Sequence, residues 1–443
     1  MSPAAHRFLR RLLLVTTLLL GSCGGGGGGG DAPTGVAGDI GSGGTGATGG
    51  GIGSGGTGVA GGDGVGSGGT GITPSVGVGS IDGFGSIVVN GVRYDIATAQ
   101  TILSDVAELK LGMTVRVTGA VSADPTQGTA TVVVSEADLR GTVSGLSGGG
   151  ATFTVTGVQV TTGATTVYAG GLMAASDLAN GAAVQIHGLP GEGGVLRATR
   201  VERLAAPQSP VLTGYVQNFD AHGHTFRIGS QQVNFAAADF PGDWPSTQLG
   251  NGVVVRVRAP AAAATLAATS IEPWNPTPLR DGTRLSLGGL VSDFTSLQAL
   301  RIDGVPADVS AAKVTGGGGP GPGGGPGSNT ALATLGTGAR VEATGTMQAG
   351  VLVVTTLNVR QAAPTVAVPA PPDTDDSGYS ARGPVGAFRS AADFKVQGQG
   401  VDASNAVFVG GTSADLGPGR KVLVTGSLVR DDVLLADRVE FLN

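Results

Sequence analysis

The 443-residue chain has a single cysteine, Cys23, and few aromatic or charged side chains, at 4% and 13%. One cysteine excludes a disulfide within the chain and a zinc site built on cysteine. Scarce aromatics leave any core to Val, Leu, Ile and Ala. Only four lysines are present (Lys110, Lys313, Lys395, Lys421), none in a basic run, and the net charge is −6. Losing residues 1–22 removes three arginines and no acid, which takes the charge to −9. Nucleic acid is therefore not the expected partner, because phosphate binding needs a basic field. No nucleophile elbow, phosphate loop or His-Glu-x-x-His helix is expected either. The sequence points to no specific reaction, and the expectation is a protein that is not an enzyme and carries no cofactor.

Glycine is abundant, at 83 residues, and much of it sits in two tracts. The N-terminus reads as an address. Arg7, Arg10 and Arg11 precede the apolar run Leu12 to Leu20, which is too short to span a bilayer. Leu20-Gly21-Ser22-Cys23 resembles the lipobox of bacterial lipoproteins, with Cys23 as the lipidated new N-terminus. Residues 1–22 are then a signal peptide, and the protein is anchored to a membrane through Cys23. Gly24 stands where inner-membrane retention favours Asp, so the expectation is a cell-envelope protein of the outer membrane, facing the periplasm or the surface. Residues 23–75 follow as a Gly-rich tether, with Gly24 to Gly30 unbroken and G-S-G-G-T-G at Gly41, Gly53 and Gly66. Such a chain cannot bury enough apolar surface to offset its backbone entropy. Its root-mean-square span is ~40 Å for roughly 50 flexible residues.

Beyond the tether one pattern recurs, L-x-x-G-x-x-V-x-V-x-G. Its copies run from Leu109 to Gly119, Leu178 to Gly188, Leu249 to Ala259, Leu335 to Gly345 and Leu416 to Gly426. The corresponding glycines Gly112, Gly181, Gly252, Gly338 and Gly419 lie 69, 71, 86 and 81 residues apart. A repeat on this scale is an architectural statement. Each copy sits among short Val- and Thr-rich alternating segments, which favour strands. The expectation is five β-modules: 76–139, 140–206, 210–275, 284–362 with a Gly/Pro loop at 316–327, and 381–443 after a linker at 363–380. In the first, Asp82-Gly83 and Asn90-Gly91 are expected as tight turns, and Ser104 as the cap of a helical turn running to Leu109. About five strands in some 60 residues leave bare edges unless they close. The fold class expected is all-β, as five tandem small OB-like barrels. An immunoglobulin-like sandwich is the alternative, but it needs about seven strands and 100 residues. Within the pattern, Leu is expected to seal a barrel end, Gly to make a turn, and the alternating Val to face the core. Gly112→Val is expected to unfold the first module and spare the rest.

The segment from Gly79 to Asp95 (G-S-I-D-G-F-G-S-I-V-V-N-G-V-R-Y-D), with Leu111 to Gly119, resembles the bacterial domain of unknown function 5666. The resemblance implies tandem β-modules in Gly-rich secreted lipoproteins, spread over most of residues 76–443, and brings no catalytic residues. The third module departs from the pattern at Ala259, so its strand end is expected to be built differently.

Three places hold chemistry to weigh. Asp220, His222 and His224 could offer metal ligands, or simply form a polar hairpin turn. Asp373, Asp375 and Ser377 fit the start of a calcium loop, but Pro384 stands where the bidentate Glu belongs, and an acidic linker is the plainer reading. Phe240 and Trp244 lie in an aromatic and proline loop before the third signature strand. Their rings suit a sugar face, though Trp244 can equally cap a core. Three roles follow: a scaffold or binding lipoprotein with an envelope glycan or protein as partner, a cell-envelope glycan-binding protein through Phe240 and Trp244, or a calcium-stiffened adhesin. Radioactive palmitate is expected to label the wild type in cells and to leave Cys23→Ser unlabelled; equal labelling of both would remove the anchor.

Overall fold

The signature glycines are followed through the computed structural model, which describes residues 73–122, 124, 126–276, 280–316, 332–363 and 378–442. Gly112, Gly181, Gly252, Gly338 and Gly419 all take the left-handed backbone, with φ between +76° and +89°. A side chain is strained there, and glycine is not. Each donates its N–H to a residue in, or directly after, the first strand of its own module: to the carbonyls of Ile81, Val143, Val216, Val291 and Val385, at 2.7–2.9 Å. The same five residues return a bond from their own N–H to the carbonyl one residue beyond the glycine. The turn is thus tied by two bonds to a buried apolar residue each time. The alternating Val115 and Val117, and their counterparts in the other copies, are buried.

The strands close into rings. In the first, β1 (Thr73–Phe84) is antiparallel to β2 (Ile87–Val89), and β2 to β3 (Val92–Asp95). β4 (Gln100–Leu103) follows, then β5 (Thr114–Val121) and β6 (Gln127–Ser135). β3 and β4 run parallel to successive halves of β6, β6 is antiparallel to β5, and β5 returns to β1. Side chains alternate in and out along β2 and β3, so Ile87, Val89, Val92 and Tyr94 fill the interior. Closure removes the exposed edges that a small open sheet would leave. β7 (Leu139–Ser147), β8 (Thr152–Val155), β9 (Val158–Thr161), β10 (Val167–Ala169), β11 (Ala183–Gly191) and β12 (Val195–Arg203) trace the same cycle. The strands within residues 211–273, 284–361 and 379–441 follow it again, with the last strand split in the first and third of these.

The final glycine of the signature has its own cause. A Cβ on Gly119, Gly188, Gly345 or Gly426 would lie 2.0–2.5 Å from a carbonyl oxygen of the ring's last strand. At three of these the strand register also shifts, which marks a bulge. Where Ala259 replaces this glycine, the strand ends at Arg258, and the facing strand is broken into Thr265–Ala267 and Ser270–Pro273. The expectation of a different strand end there is met.

Two local expectations are corrected. Asp82-Gly83 is not a turn: both residues lie inside β1, and the chain reverses at Gly85 and Ser86, with φ of +105° and +108°. Gly83 is pressed against Ser380 of the fifth ring, where a Cβ would lie 2.4 Å from its hydroxyl. Ser104 caps no helix either, because Asp105 is drawn away to accept from the Ala137 N–H at 3.1 Å and to pair with arginines. Short 3-10 turns do precede Leu178, Leu249 and Leu416.

The rings do not stand apart. β1 pairs in parallel with residues 284–287 of the fourth ring and, further on, with Ser380 and Ala381 of the fifth. Leu139 and Arg140 pair with Leu212 and Val211 of the third. One apolar cluster spans the first and fifth rings and another the second and third, while Val76 and Val78 belong to the fourth ring's cluster. The expected independence of the modules is corrected accordingly. A Cβ on Gly112 would meet the Thr199 carbonyl oxygen at 2.6 Å and Val167 Cγ2 at 2.7 Å, both in the second ring. Gly112→Val therefore strikes two rings at once.

The hairpin between the second and third strands recurs as well. Asn90-Gly91 forms the expected turn, and Thr156-Gly157, Asp303-Gly304 and Gln397-Gly398 match it with paired positive φ. Asn90 donates its amide to the carbonyls of Val78 at 2.7 Å and Ser286 at 3.2 Å. Asp303 accepts from the Leu290 N–H at 3.0 Å, but its Oδ2 is enclosed without a partner. Burial pushes the Asp303 carboxyl up to about 8. An acid held neutral by the fold but ionised above about pH 4 when unfolded costs stability as pH rises from 4 to 8. Asp303→Asn is therefore expected to gain about 1–3 kcal/mol at pH 8 and almost nothing at pH 4. Thermal melting at the two pH values checks this, and an equal effect at both would contradict it.

Candidate functional site

The first three rings meet over the connection Glu136-Ala137-Asp138, between β6 and β7. Asp138 is fully buried and accepts four hydrogen bonds. They come from Thr114 Oγ1 at 2.5 Å, Gly188 N at 2.9 Å, Arg256 Nη2 at 3.1 Å and Trp274 Nε1 at 2.6 Å. Arg256, also buried, reaches in from the third ring. It donates to the Ala137 carbonyl at 3.1 Å, to Glu136 at 2.6 Å and to Glu272 at 3.4 Å. Arg258 forks onto both oxygens of Asp105, at 3.0 and 2.9 Å, and Arg140 takes the same carboxylate. A buried charge is tolerable when paired and hydrogen-bonded in this way.

The electrostatics follow from burial and partners. Burial opposes the Asp105 carboxylate, but Arg258 and Arg140 hold it down at about 2. Burial pushes Asp138 upward against the pull of Arg256. His187 is shut in, and burial, then Arg200 and Arg256, push it down to about 3, so it is neutral. Its Nδ1 lies 3.1 Å from Thr114 Oγ1. That hydroxyl gives its proton to Asp138, so the imidazole proton belongs on Nδ1. His187 is thus a buried residue at a junction, and no base for catalysis near neutral pH.

Beside this cluster opens a cavity of about 240 Å³, with Arg116, Glu136, Asp243, Trp244, Arg256, Glu272 and Asn275 on its walls. Trp244 is half-buried. Its loop is held by a Trp244 N–H bond to the Pro241 carbonyl, and its ring lies 6.0 Å from that of Phe240 at 32°. Phe240 and Trp244 both pack on the cluster shared by the second and third rings. Trp244 thus supports the core and also faces the cavity. A larger cleft of about 800 Å³ lies between the second and third rings, lined by Arg140, Thr142, Thr156, Gln208, Gln231 and Ala263 among others.

The other expected residues fall elsewhere. Asp220 accepts from the N–H groups of His222 and Gly223, both at 3.0 Å, which makes the stretch a hairpin turn. Among the described residues no group of three His, Cys, Asp or Glu side chains could hold a metal, and no helix is long and apolar enough to cross a membrane. Cys23, Asp373, Asp375 and Ser377 lie outside the described residues. The string Gly145-Leu-Ser-Gly-Gly149 matches a nucleophile motif only in letters. It ends β7 in a hairpin, where the exposed Ser147 hydroxyl bonds Thr152. Sequence reasoning missed Asp138, Arg256 and Arg258. The signal was there: Arg256 and Arg258 occupy outward positions of the third signature strand, where a lone barrel would meet water.

Three regions match one family model. The model is that of Domain of unknown function (DUF5666). The matches cover residues 78–133, 140–202 and 382–440, which are the first, second and fifth rings. The resemblance implied wider coverage. The unmatched rings are the one with Ala259 in place of the final glycine, and the one with the Gly/Pro sequence at 316–327. No curated protein matches the chain.

Arg256 is the cation on which three carboxylates of this cluster depend. Arg256→Ala is expected to cost about 3–5 kcal/mol at pH 7, since it strands buried charge. The loss should shrink near pH 4, because burial already pushes Asp138 upward and without Arg256 it takes up a proton more readily. Asp105 behaves in the same sense but lower in pH: its contribution is present above about pH 4 and lost as pH falls through 2. Denaturant unfolding of both proteins at pH 7 and 4 checks this, and a pH-independent loss would contradict it.

Proposed function

We propose that the protein is a bacterial envelope lipoprotein with a binding or scaffold role and no catalytic one. It is built as five OB-like modules behind a Gly-rich tether anchored at Cys23. Supporting the module reading is the recurrent cycle in which the third strand runs parallel to the last, as in a Greek-key barrel of the OB type. Supporting the anchor is the lipobox resemblance at Leu20 to Cys23.

The observation that carries the binding role is the half-buried Trp244 on the wall of the 240 Å³ cavity. An aromatic face beside polar groups, on a scaffold fixed by ion pairs, is a recognition surface ready before its ligand arrives. Against catalysis stands the engagement of Glu136 and Glu272 by one arginine, which occupies both carboxylates.

Phe240 and Trp244 favour a cell-envelope glycan as the ligand. A glycan array is expected to show the wild type bound and Trp244→Ala lost, with the variant less stable but still melting cooperatively. Equal binding by the two would remove Trp244 from the contact.

A further inference from the structure

We infer that the cavity at Trp244 takes one uncharged pyranose unit of a glycan, bound through neighbouring hydroxyls. This rests on the glycan reading and narrows it. The cavity holds five charged residues, and their pairing decides what remains for a ligand. Glu136 and Glu272 are both taken by Arg256, which is fixed in turn by Asp138. Two side chains are left. Among the described residues Arg116 and Asp243 enter no ion pair, and both line the cavity. Arg116 projects from the first ring's signature strand, and Asp243 from the aromatic loop of the third.

One free donor cation and one free acceptor anion suit a ligand that both accepts and donates and has no charge of its own. Neighbouring sugar hydroxyls do this, accepting from the guanidinium and donating to the carboxylate, while Trp244 covers an apolar ring face. A carboxylated sugar would pair with Arg116 but meet Asp243, with Glu136 and Glu272 behind it. An amino sugar would pair with Asp243 but meet Arg116. Each charged ligand gains one contact and carries one like-charge conflict. Size agrees: about 240 Å³ is below the roughly 300 Å³ at which pockets for drug-sized ligands begin. The site therefore grips one ring, and a longer glycan would run out over Pro241 and Pro276.

Calorimetric titration of the full chain is the test, with cellobiose, mannobiose and diacetylchitobiose as neutral probes, and digalacturonate and glucosamine as charged ones. Arg116→Met and Asp243→Asn are the variants; Asp243 is exposed, so its substitution spares the fold. The expected result is that at least one neutral disaccharide binds, and that each variant weakens it about ten-fold. Both charged probes should bind at least about ten-fold more weakly than that disaccharide. Tighter binding of a charged probe overturns the inference and leaves the glycan reading standing. Neutral binding unchanged in both variants does the same, because the sugar then sits elsewhere. If no saccharide binds the wild type, the glycan reading falls along with the inference.

Discussion

Asp138 has no water to turn to, and that constraint organises the molecule. Its carboxylate must find every hydrogen bond inside the protein. It takes them from the first ring, the second ring, the third ring and the tryptophan that follows it. Satisfying one buried anion therefore fixes three barrels relative to each other. Arg256 then fixes Glu136 and Glu272, and Arg258 with Arg140 fixes Asp105. Ion pairs of this kind add little net stability compared with a well-packed apolar junction. What they add is geometry, because a planar guanidinium accepts its partners in few directions. Glu136, Arg256 and Glu272 also line the Trp244 cavity, so its wall inherits the rigidity of the junction.

Much of the ring was legible in the sequence. The alternating Val residues, the turn glycines and the closing bulge glycine are local requirements, imposed by φ, by period and by a nearby carbonyl. Local requirements leave local traces, and five copies made them plain. Ala259 shows the converse: where the glycine is missing, the signature strand stops at Arg258. Gly83 misled because Asp-Gly is also acceptable in a bulge, and only the neighbouring ring decides between bulge and turn. The assembly was not legible for the same reason. Arg256 on an outward strand position looks like a solvated residue until another ring covers it. The candidate site lay between these limits. The aromatic loop stood out by composition, while Arg116, some 130 residues away in sequence, gave no sign that it shares a wall with Trp244.

The repeated element is structural, and the differences between copies carry the individuality of each ring. The residues between the signature valines are Arg116, Gln185, Arg256, Glu342 and Leu423. Similar barrels with different outward residues therefore make different contacts with one another without a change of fold.

Arg200 belongs to the second ring and is wholly enclosed, yet the acceptors around it come from three rings. Glu202 is its own neighbour, the Leu111 carbonyl precedes it, and Asp432 lies at 2.7 Å near the end of the chain. During synthesis the second ring is complete more than 200 residues before Asp432 emerges. Until then Arg200 must stay wet, so the groove around it must stay open. The hairpin at Asp432 therefore supplies, from the far end of the chain, the acceptor that completes the pairing of an arginine enclosed in the second ring.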